Sequence, residues 1–492
     1  MKSYLKKMCV TMMVCVLAIS LVGCKKTDTT TSEDQTTVTT ETETTETTEA
    51  TAETTEEATE EQSYNFGGRV LKIGSYYDMT PDPESSALAQ AYSERIAFVE
   101  ENYNCKIEFV TIPDDYTAAY ITSVLAGDPI VDFGYVMSYN LLPSLIEGGI
   151  AYPISDLNVF DFDAYKWRAD YVEAGNYNGK NYTVLKKDPE VRYGIFWNKT
   201  LFEKYGLPDL YELYDNGEWT WDKFKEISIA GNQDLDSDGT VDIYGFNDRE
   251  SLEWCYLYSN GAKVAEKTAS GMTLDFSDDK VVEALTALQD FKTTVPHLTG
   301  WLGNWDDQIK SFRDGKSLMC LEEFWISYGY LNEMPDDFGF VPFPKGPSAT
   351  DWSCYGKEVA PYFMLNGIDK PEEAALIYDL ITDVVETDEE WDELMEAQLE
   401  VWSGDAKTVE ICMDLFNKGL ININPIKGFA DLTTAVNGMF TEITAGTSTP
   451  QTALETYKSQ IDTALEDISN HDYDADMQTY LNPETAEATT EE

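Results

Sequence analysis

The sequence predicts an α/β fold, and three observations carry that expectation. Strand-like and helix-like segments alternate from about Tyr64 to about Tyr480, the pattern that layers helices on a sheet. The helix-like segments repeat apolar residues at i, i+3, i+4 and i+7. An apolar content of 42% with 13% aromatic residues is ample for a sizeable core, and 492 residues leave room for two or three domains.

Arg69 to Gly74 reads as the first strand. Leu88, Tyr92, Ile96, Val99 and Tyr103 then recur at helical spacing. Lys106 to Val110 is a second strand with alternating sides, and Ala118 to Ala126 is helical until Gly127-Asp128-Pro129 stops it. Val131 to Val136 is a short apolar strand. Further on, Pro371 sits in the first turn of a helix whose Ile377, Leu380, Ile381 and Val384 mark its buried face. The folded part has no internal repeat.

Both ends of the chain read differently. Lys2, Lys6 and Lys7 precede an apolar run from Met8 to Val22 that is short for a membrane span. It ends in Leu21-Val22-Gly23-Cys24, which resembles the lipobox of bacterial lipoproteins. Residues 1–23 are thus expected to be a signal peptide and Cys24 the lipid attachment point. From Lys25 to Gln62 the chain is almost all Thr, Glu, Ala and Asp, without an aromatic residue. Such a segment cannot bury enough apolar surface to offset its ordering entropy, and like charges extend it. Residues 24–63 are read as a tether, and 481–492 as a disordered tail.

Composition argues against several classes. Net charge is −56, which repels phosphate backbones and argues against a nucleic-acid partner. The two histidines, His297 and His471, argue against a His-based metal cluster and against a Ser-His-Asp triad. Beyond Cys9, Cys15 and Cys24, the five cysteines are widely spaced, odd in number and without a CxxC pair. They read as buried thiols rather than a disulfide framework.

Ordered landmarks run along the folded part. Gly67-Gly68-Arg69 opens the first strand and Tyr76-Tyr77 follows it. Ala126-Gly127-Asp128, Glu147-Gly148-Gly149-Ile150 and Asn178-Gly179-Lys180-Asn181-Tyr182 come next. Trp197-Asn198-Lys199-Thr200, Gly206-Leu207-Pro208 and Thr220-Trp221-Asp222-Lys223-Phe224 succeed them. Phe312-Arg313-Asp314-Gly315-Lys316, Pro342-Phe343-Pro344-Lys345-Gly346-Pro347 and Lys370-Pro371-Glu372-Glu373 complete the series. In this order, behind a lipobox, they resemble the bacterial extracellular solute-binding proteins of the sugar ABC-importer group, with the maltose-binding proteins as distant relatives.

The resemblance implies a two-lobed, type II periplasmic-binding-protein-like fold with three crossings and a ligand cleft between the lobes. Lobe 1 would hold 64–187 and 358–384, and lobe 2 would hold 188–357 and 385–480. It also implies a monomer that needs no cofactor, anchored by lipid to the outer face of the cell membrane. Such a protein captures a carbohydrate, an oligosaccharide above all, and delivers it to the transmembrane subunits of an ABC importer. A peptide, polyol or other small solute on the same fold is the alternative, as is a surface adhesin with no importer.

Aromatic rings stack on the C–H faces of a sugar, and carboxylates or amides take its hydroxyls. Trp325, in Glu322-Glu323-Phe324-Trp325, stands where the resemblance implies a stacking ring, with Glu322 and Glu323 as hydroxyl acceptors; a core Trp beside solvated glutamates is the competing reading. Tyr76, Tyr77 and Asp78 follow the first strand, where the family places cleft residues. Trp254, Tyr139, Trp352 and Tyr355 are further candidates against core or surface roles, as are Glu190 and Arg192 at the first crossing. Arg249 and Ser251 depart from the relatives' sugar-binding side chains. An enzymatic reading would enlist Glu322 and Glu323 for glycoside hydrolysis, but neighbours on a strand point to opposite faces, so a non-enzymatic function is expected.

Asp234, Asp236, Asp238 and Asp242, with Thr240 among them and Gly239 at the sixth place, space oxygen donors like an EF-hand loop. Gly245 stands at the twelfth place, where the bidentate Glu belongs; Asp248 or Glu250 could replace it after a local turn. A structural Ca²⁺ is the expectation, and an acidic surface turn without metal the alternative.

Overall fold

The computed structural model describes residues 64–112, 115–167, 175–177, 179–186, 192–249, 251–268, 271–298, 303–356, 360–417, 421–423 and 426–470. Two sheets organise them. The first contains β1 (Arg69–Ser75), β2 (Cys105–Thr111), β3 (Phe133–Tyr135) and β4 (Thr183–Val184). The second contains β5 (Tyr193–Asn198), β6 (Met319–Glu323), β7 (Phe338–Pro342) and β8 (Cys354–Gly356), with β9 (Tyr362–Met364) returning to the first sheet and β10 (Ile421–Ile423) to the second.

In the first sheet the order is β2-β1-β3-β9-β4, with β1 parallel to β2 and β3 and β9 antiparallel to both its neighbours. The parallel pairs need crossover helices. These are α1 (Ala87–Tyr103) and α2 (Tyr116–Leu125). Ser86 starts α1 by accepting a hydrogen bond from the Ala89 amide at 3.1 Å, and Asn104 ends it in the left-handed region at φ 52°. Tyr120 of α2 lies fully buried on the sheet, and Gly134 makes room for it: a Cβ there would meet its ring at 2.8 Å. The Tyr120 hydroxyl reaches the carbonyls of Gly74 (3.2 Å) and Tyr135 (3.1 Å). It thereby fixes the ends of β1 and β3, from which the cleft loops leave.

In the second sheet β5 is the hub, antiparallel to β6, β7 and β8. Its six residues are all buried, as a strand covered on both faces requires. The helices that cover it include α3 (Trp221–Ala230), α4 (Leu252–Ser259), α5 (Asp279–Thr294) and α6 (Asp307–Arg313). After β9 come α7 (Pro371–Ile381), α8 (Asp388–Ser403), α9 (Ala406–Asn417), α10 (Ala430–Thr444) and α11 (Pro450–Asn470). The chain passes between the sheets from β4 to β5 and from β8 to β9. It passes a third time from α7, which packs on the first core, to α8, whose Trp391, Met395 and Leu399 lie in the second.

Two details differ from the sequence reading. The strand expected over 131–136 narrows to Phe133–Tyr135. Helix α7 stops at Ile381, where the Thr382 amide turns to the carbonyls of Asp379 and Leu380, and Val384 packs against the second core. The lobes also meet along a seam beside the crossings. Ser86 donates to Gln398 of α8 at 2.6 Å, and Leu88 and Tyr92 of α1 join the second core. Cys105, Cys255, Cys320, Cys354 and Cys412 are all buried. Burial pushes the thiols of Cys255, Cys320 and Cys412 well above their ordinary range, which keeps them protonated and unreactive. Among the described residues no helix is long and apolar enough to cross a membrane.

Candidate functional site

On lobe 1 the site grows from the end of β1. Tyr76 and Tyr77 are 40% and 42% exposed, unusual for rings of that size, yet they are not loose. Tyr76 lies 4.8 Å from Tyr77, stacks at 5.5 Å on Tyr116 and sits 5.9 Å from Tyr135, while Tyr77 meets Tyr135 edge-on at 5.8 Å. The result is a braced tyrosine wall. Asp78 is exposed beside it and accepts from the Thr80 amide at 3.0 Å. Hydrogen bonds from Thr80 hold its carboxyl below the usual range, so it is an ionised acceptor at neutral pH.

From Tyr135 the chain turns into the short helical segment Ser138–Asn140. There Tyr139 takes Lys427 of lobe 2 over its ring at 3.9 Å, which joins the tyrosine wall to a pocket in the other lobe. That cavity of ≈ 300 Å³ is lined by Ser251, Glu253, Trp254, Tyr355 and Lys427, and by Thr433, Asn437 and Thr441 of α10. Its floor is a buried aromatic stack: Trp254 lies 6.2 Å from Tyr355 with planes 12° apart, and Tyr193 and Tyr258 stack on Tyr355 at 5.6 and 5.7 Å. Ser251 precedes α4 at φ 104°, a left-handed conformation that a side-chain-bearing residue adopts at a cost and that clusters at ligand sites.

A second aromatic group lies along β6. Trp325 donates from its indole Nε1 to Glu323 at 3.2 Å and sits 6.2 Å from Trp305 and 5.8 Å from Tyr330. Arg192 approaches Glu323 at 4.0 Å. Across the strand pair Glu323 faces Tyr193, whose ring stacks on Tyr355 of the pocket floor, so this group and the pocket share one border.

Two candidates behave differently from the expectation. Glu322 is 1% exposed and ion-paired with Arg249; alternation along β6 turns it into the lobe, where it anchors Arg249 instead of offering itself to a hydroxyl. Trp352 packs 4.4 Å from Tyr214, donates to the Trp219 carbonyl at 3.1 Å and takes Lys345 on its face. These partners do not include the other candidates. Glu190 and Cys24 lie outside the described residues.

Sequence reasoning missed Glu253, Lys427 and Asn437. A signal for Asn437 was present: Thr433, Asn437 and Thr441 recur every four residues in α10, a polar stripe beside the apolar face of Leu432, Val436, Met439 and Ile443. Glu253 is the carboxyl that lines the pocket. Burial first, then the negative charge of Asp248, push it from 4.5 up to about 7. The folded protein therefore keeps this proton where the unfolded chain has lost it. The associated stability is fully present below about pH 4.5 and is lost as pH rises through about 7. Each tenfold change in a protonation equilibrium is worth about 1.4 kcal/mol. Wild type is therefore expected to lose about 2–3 kcal/mol relative to Glu253→Gln across that window. Urea unfolding of both proteins at intervals from about pH 5 to about pH 8 checks this; parallel stability curves would assign Glu253 an ordinary titration.

The acidic loop hangs from the other end of the second sheet. The segment from Tyr244 to Arg249 runs beside β6, with Tyr244 bridging Ser317 and Asn247 bridging Cys320. This register carries Arg249 to Glu322 and leaves residues 234–242 at the end remote from Glu323. There the carboxylates of Asp234, Asp236 and Asp242 come within 4.8 Å of one another. The loop's own amides brace it: Gly239 donates to Asp234 at 2.9 Å, Leu235 to Asp242 at 2.7 Å and Thr240 to Asp238 at 2.7 Å. Asp248 does not supply the missing twelfth-position ligand, because it is buried in an ion pair with Lys292. Glu250 lies outside the described residues.

Residues 80–384 match the family model of the bacterial extracellular solute-binding proteins. Among solved structures, the cyclic α-maltosyl-1,6-maltose binding protein of Arthrobacter globiformis is similar with a TM-score of 0.60 at 16% identity, over 82% of this chain and 100% of that one. An ABC substrate-binding protein of Listeria monocytogenes in complex with cycloalternan gives 0.57 at 17%, over 81% and 99%. An ABC-transporter solute-binding protein of Thermotoga lettingae bound with α-D-tagatose gives 0.52 at 18%, over 81% and 100%. These likenesses establish the two-lobed periplasmic-binding-protein fold. Comparison with curated proteins yields no match.

Proposed function

Because the chain belongs to the bacterial extracellular solute-binding proteins, we propose that it captures a carbohydrate between its lobes and delivers it to the membrane subunits of an ABC importer. One observation carries the choice of ligand. A pocket floored by stacked rings and rimmed by hydroxyl, amide, carboxyl and ammonium groups adjoins exposed aromatic walls on both lobes. Rings stack on sugar faces and the rim matches hydroxyls in both donor and acceptor senses. Tyr76, Tyr77 and Asp78 serve from lobe 1, and Trp325 with the Ser251, Glu253, Asn437 and Lys427 rim serves from lobe 2. Cys24 carries the lipid, and residues 24–63 hold the lobes away from the membrane surface.

A thermal-shift screen of the full chain against mono- and oligosaccharides, polyols and short peptides tests the reading. A ligand at 100 times its Kd stabilises by about 2.7 kcal/mol, so the bound class is expected to raise the melting temperature by several degrees. A rise with a peptide or polyol and none with any sugar would overturn the carbohydrate assignment while keeping the fold and the importer role.

Calcium at the acidic loop belongs to the same reading, with Asp234, Asp236 and Asp242 as the converging ligands and a structural role remote from the cleft. Chelation is expected to lower the melting temperature of wild type and to leave the Asp234→Ala, Asp236→Ala double variant unmoved. Equal melting with and without chelator, in protein found free of metal by elemental analysis, would remove the ion from the account.

A further inference from the structure

We propose that Trp305 forms an outer sugar subsite continuous with Trp325, so that the preferred ligand is a chain of at least three or four sugar rings. The inference rests on the carbohydrate reading and adds ligand length to it. The pocket of ≈ 300 Å³ stands at the lower end of the ~300–1,000 Å³ range of small-ligand sites, which suits a short saccharide. Trp305 lies outside that pocket. Its indole is 45% exposed, which leaves a large apolar face in water next to Trp325, at 6.2 Å, and Tyr330, at 6.0 Å.

The ring is also built in. Asn304 closes a turn on Asp307, its amide donating at 2.8 Å. Asp306 is held by Lys310 at 2.8 Å and by the Tyr330 hydroxyl at 3.1 Å. Arg249 approaches the indole at 6.0 Å from the ring centroid and is itself pinned by Glu322. A braced, exposed indole presents a stacking face at little ordering cost on binding. Arg249 ties this ring to the pocket: it approaches the Trp305 indole, and Ser251, close behind it in the chain, lines the pocket. Asp306 flanks the ring with a carboxylate for sugar hydroxyls.

Titration calorimetry of the full chain with free α-1,4-glucan, β-1,4-glucan and β-1,4-mannan series, each from one to six rings, tests this. In at least one series wild-type affinity is expected to climb with length up to four rings or beyond. Trp305→Ala is expected to flatten that climb, costing about three- to tenfold in affinity for the tetramer and less than twofold for the shortest member that binds. Trp305→Phe is expected to restore most of the gain, with unfolding midpoints of both variants close to wild type. The proposal is overturned if affinity is already maximal at one or two rings, or if Trp305→Ala weakens short and long members equally. No effect at any length also overturns it. Wild type that binds no member of these series overturns the subsite, while the thermal-shift screen against sugars, polyols and peptides decides the carbohydrate reading separately.

Discussion

Arg249→Ala is expected to lower the unfolding free energy by about 3 kcal/mol. Glu322 is 1% exposed and Arg249 is its ion-pair partner. Breaking a buried ion pair by removing one partner costs about 3–5 kcal/mol, whereas replacing both by apolar residues of similar volume is often neutral. The lower figure applies because the Arg249 side chain is 16% exposed and water can partly replace it. Arg249→Met with Glu322→Leu is therefore expected to recover most of the loss. Urea denaturation with an unchanged m-value is the measurement. A single variant as stable as wild type would show that Glu322 takes up a proton or reaches solvent, and would free it to act on ligand.

Trp325→Ala is expected to weaken ligand binding by roughly ten- to a hundredfold. Stacking contributes about 0.5–1.5 kcal/mol beyond area, burial of a side chain this large adds about 1.5–3 kcal/mol, and each 1.4 kcal/mol is tenfold. The fold should survive, because the ring is only partly buried and packs at the edge of the second core, so its loss leaves no sealed cavity. A ring acting only in the core predicts the reverse, with a large stability loss and unchanged affinity in the protein that remains folded. Measuring unfolding and affinity on this one variant separates the two.

How legible the sequence was depends on where the information sits. Periodicity exposed β1, α1, β2 and α7, because one buried face imposes its repeat on the chain. Tyr76 and Tyr77 were legible as an aromatic pair following a strand. Glu322 was not: its place beside Trp325 suggested a hydroxyl acceptor, while its function as the partner of Arg249 comes from a contact 73 residues away in sequence. Glu253 and Asn437 look like the solvated side of a helix; Asn437 does stay exposed and Glu253 is only partly covered, and both join the site because a pocket forms beside them. The stripe at Thr433, Asn437 and Thr441 was present in the spacing, but only the position of α10 against Trp254, through Phe440 at 5.3 Å, turns that stripe toward a pocket. Trp352 shows the reverse: it lies next to β8 in sequence, yet its ring packs on Tyr214 and bonds the Trp219 carbonyl, because nearness in sequence does not determine the side on which a ring packs.

The central claim is that one carbohydrate is held by both lobes. Titration calorimetry with the saccharide chosen by the thermal screen tests it most directly, on wild type, Tyr77→Ala in lobe 1 and Trp325→Ala in lobe 2. The account predicts one site per chain, a negative heat-capacity change from buried apolar surface, and weaker binding in both variants. A saccharide whose affinity responds to only one of the two substitutions, or a chain that binds no saccharide at all, would contradict it.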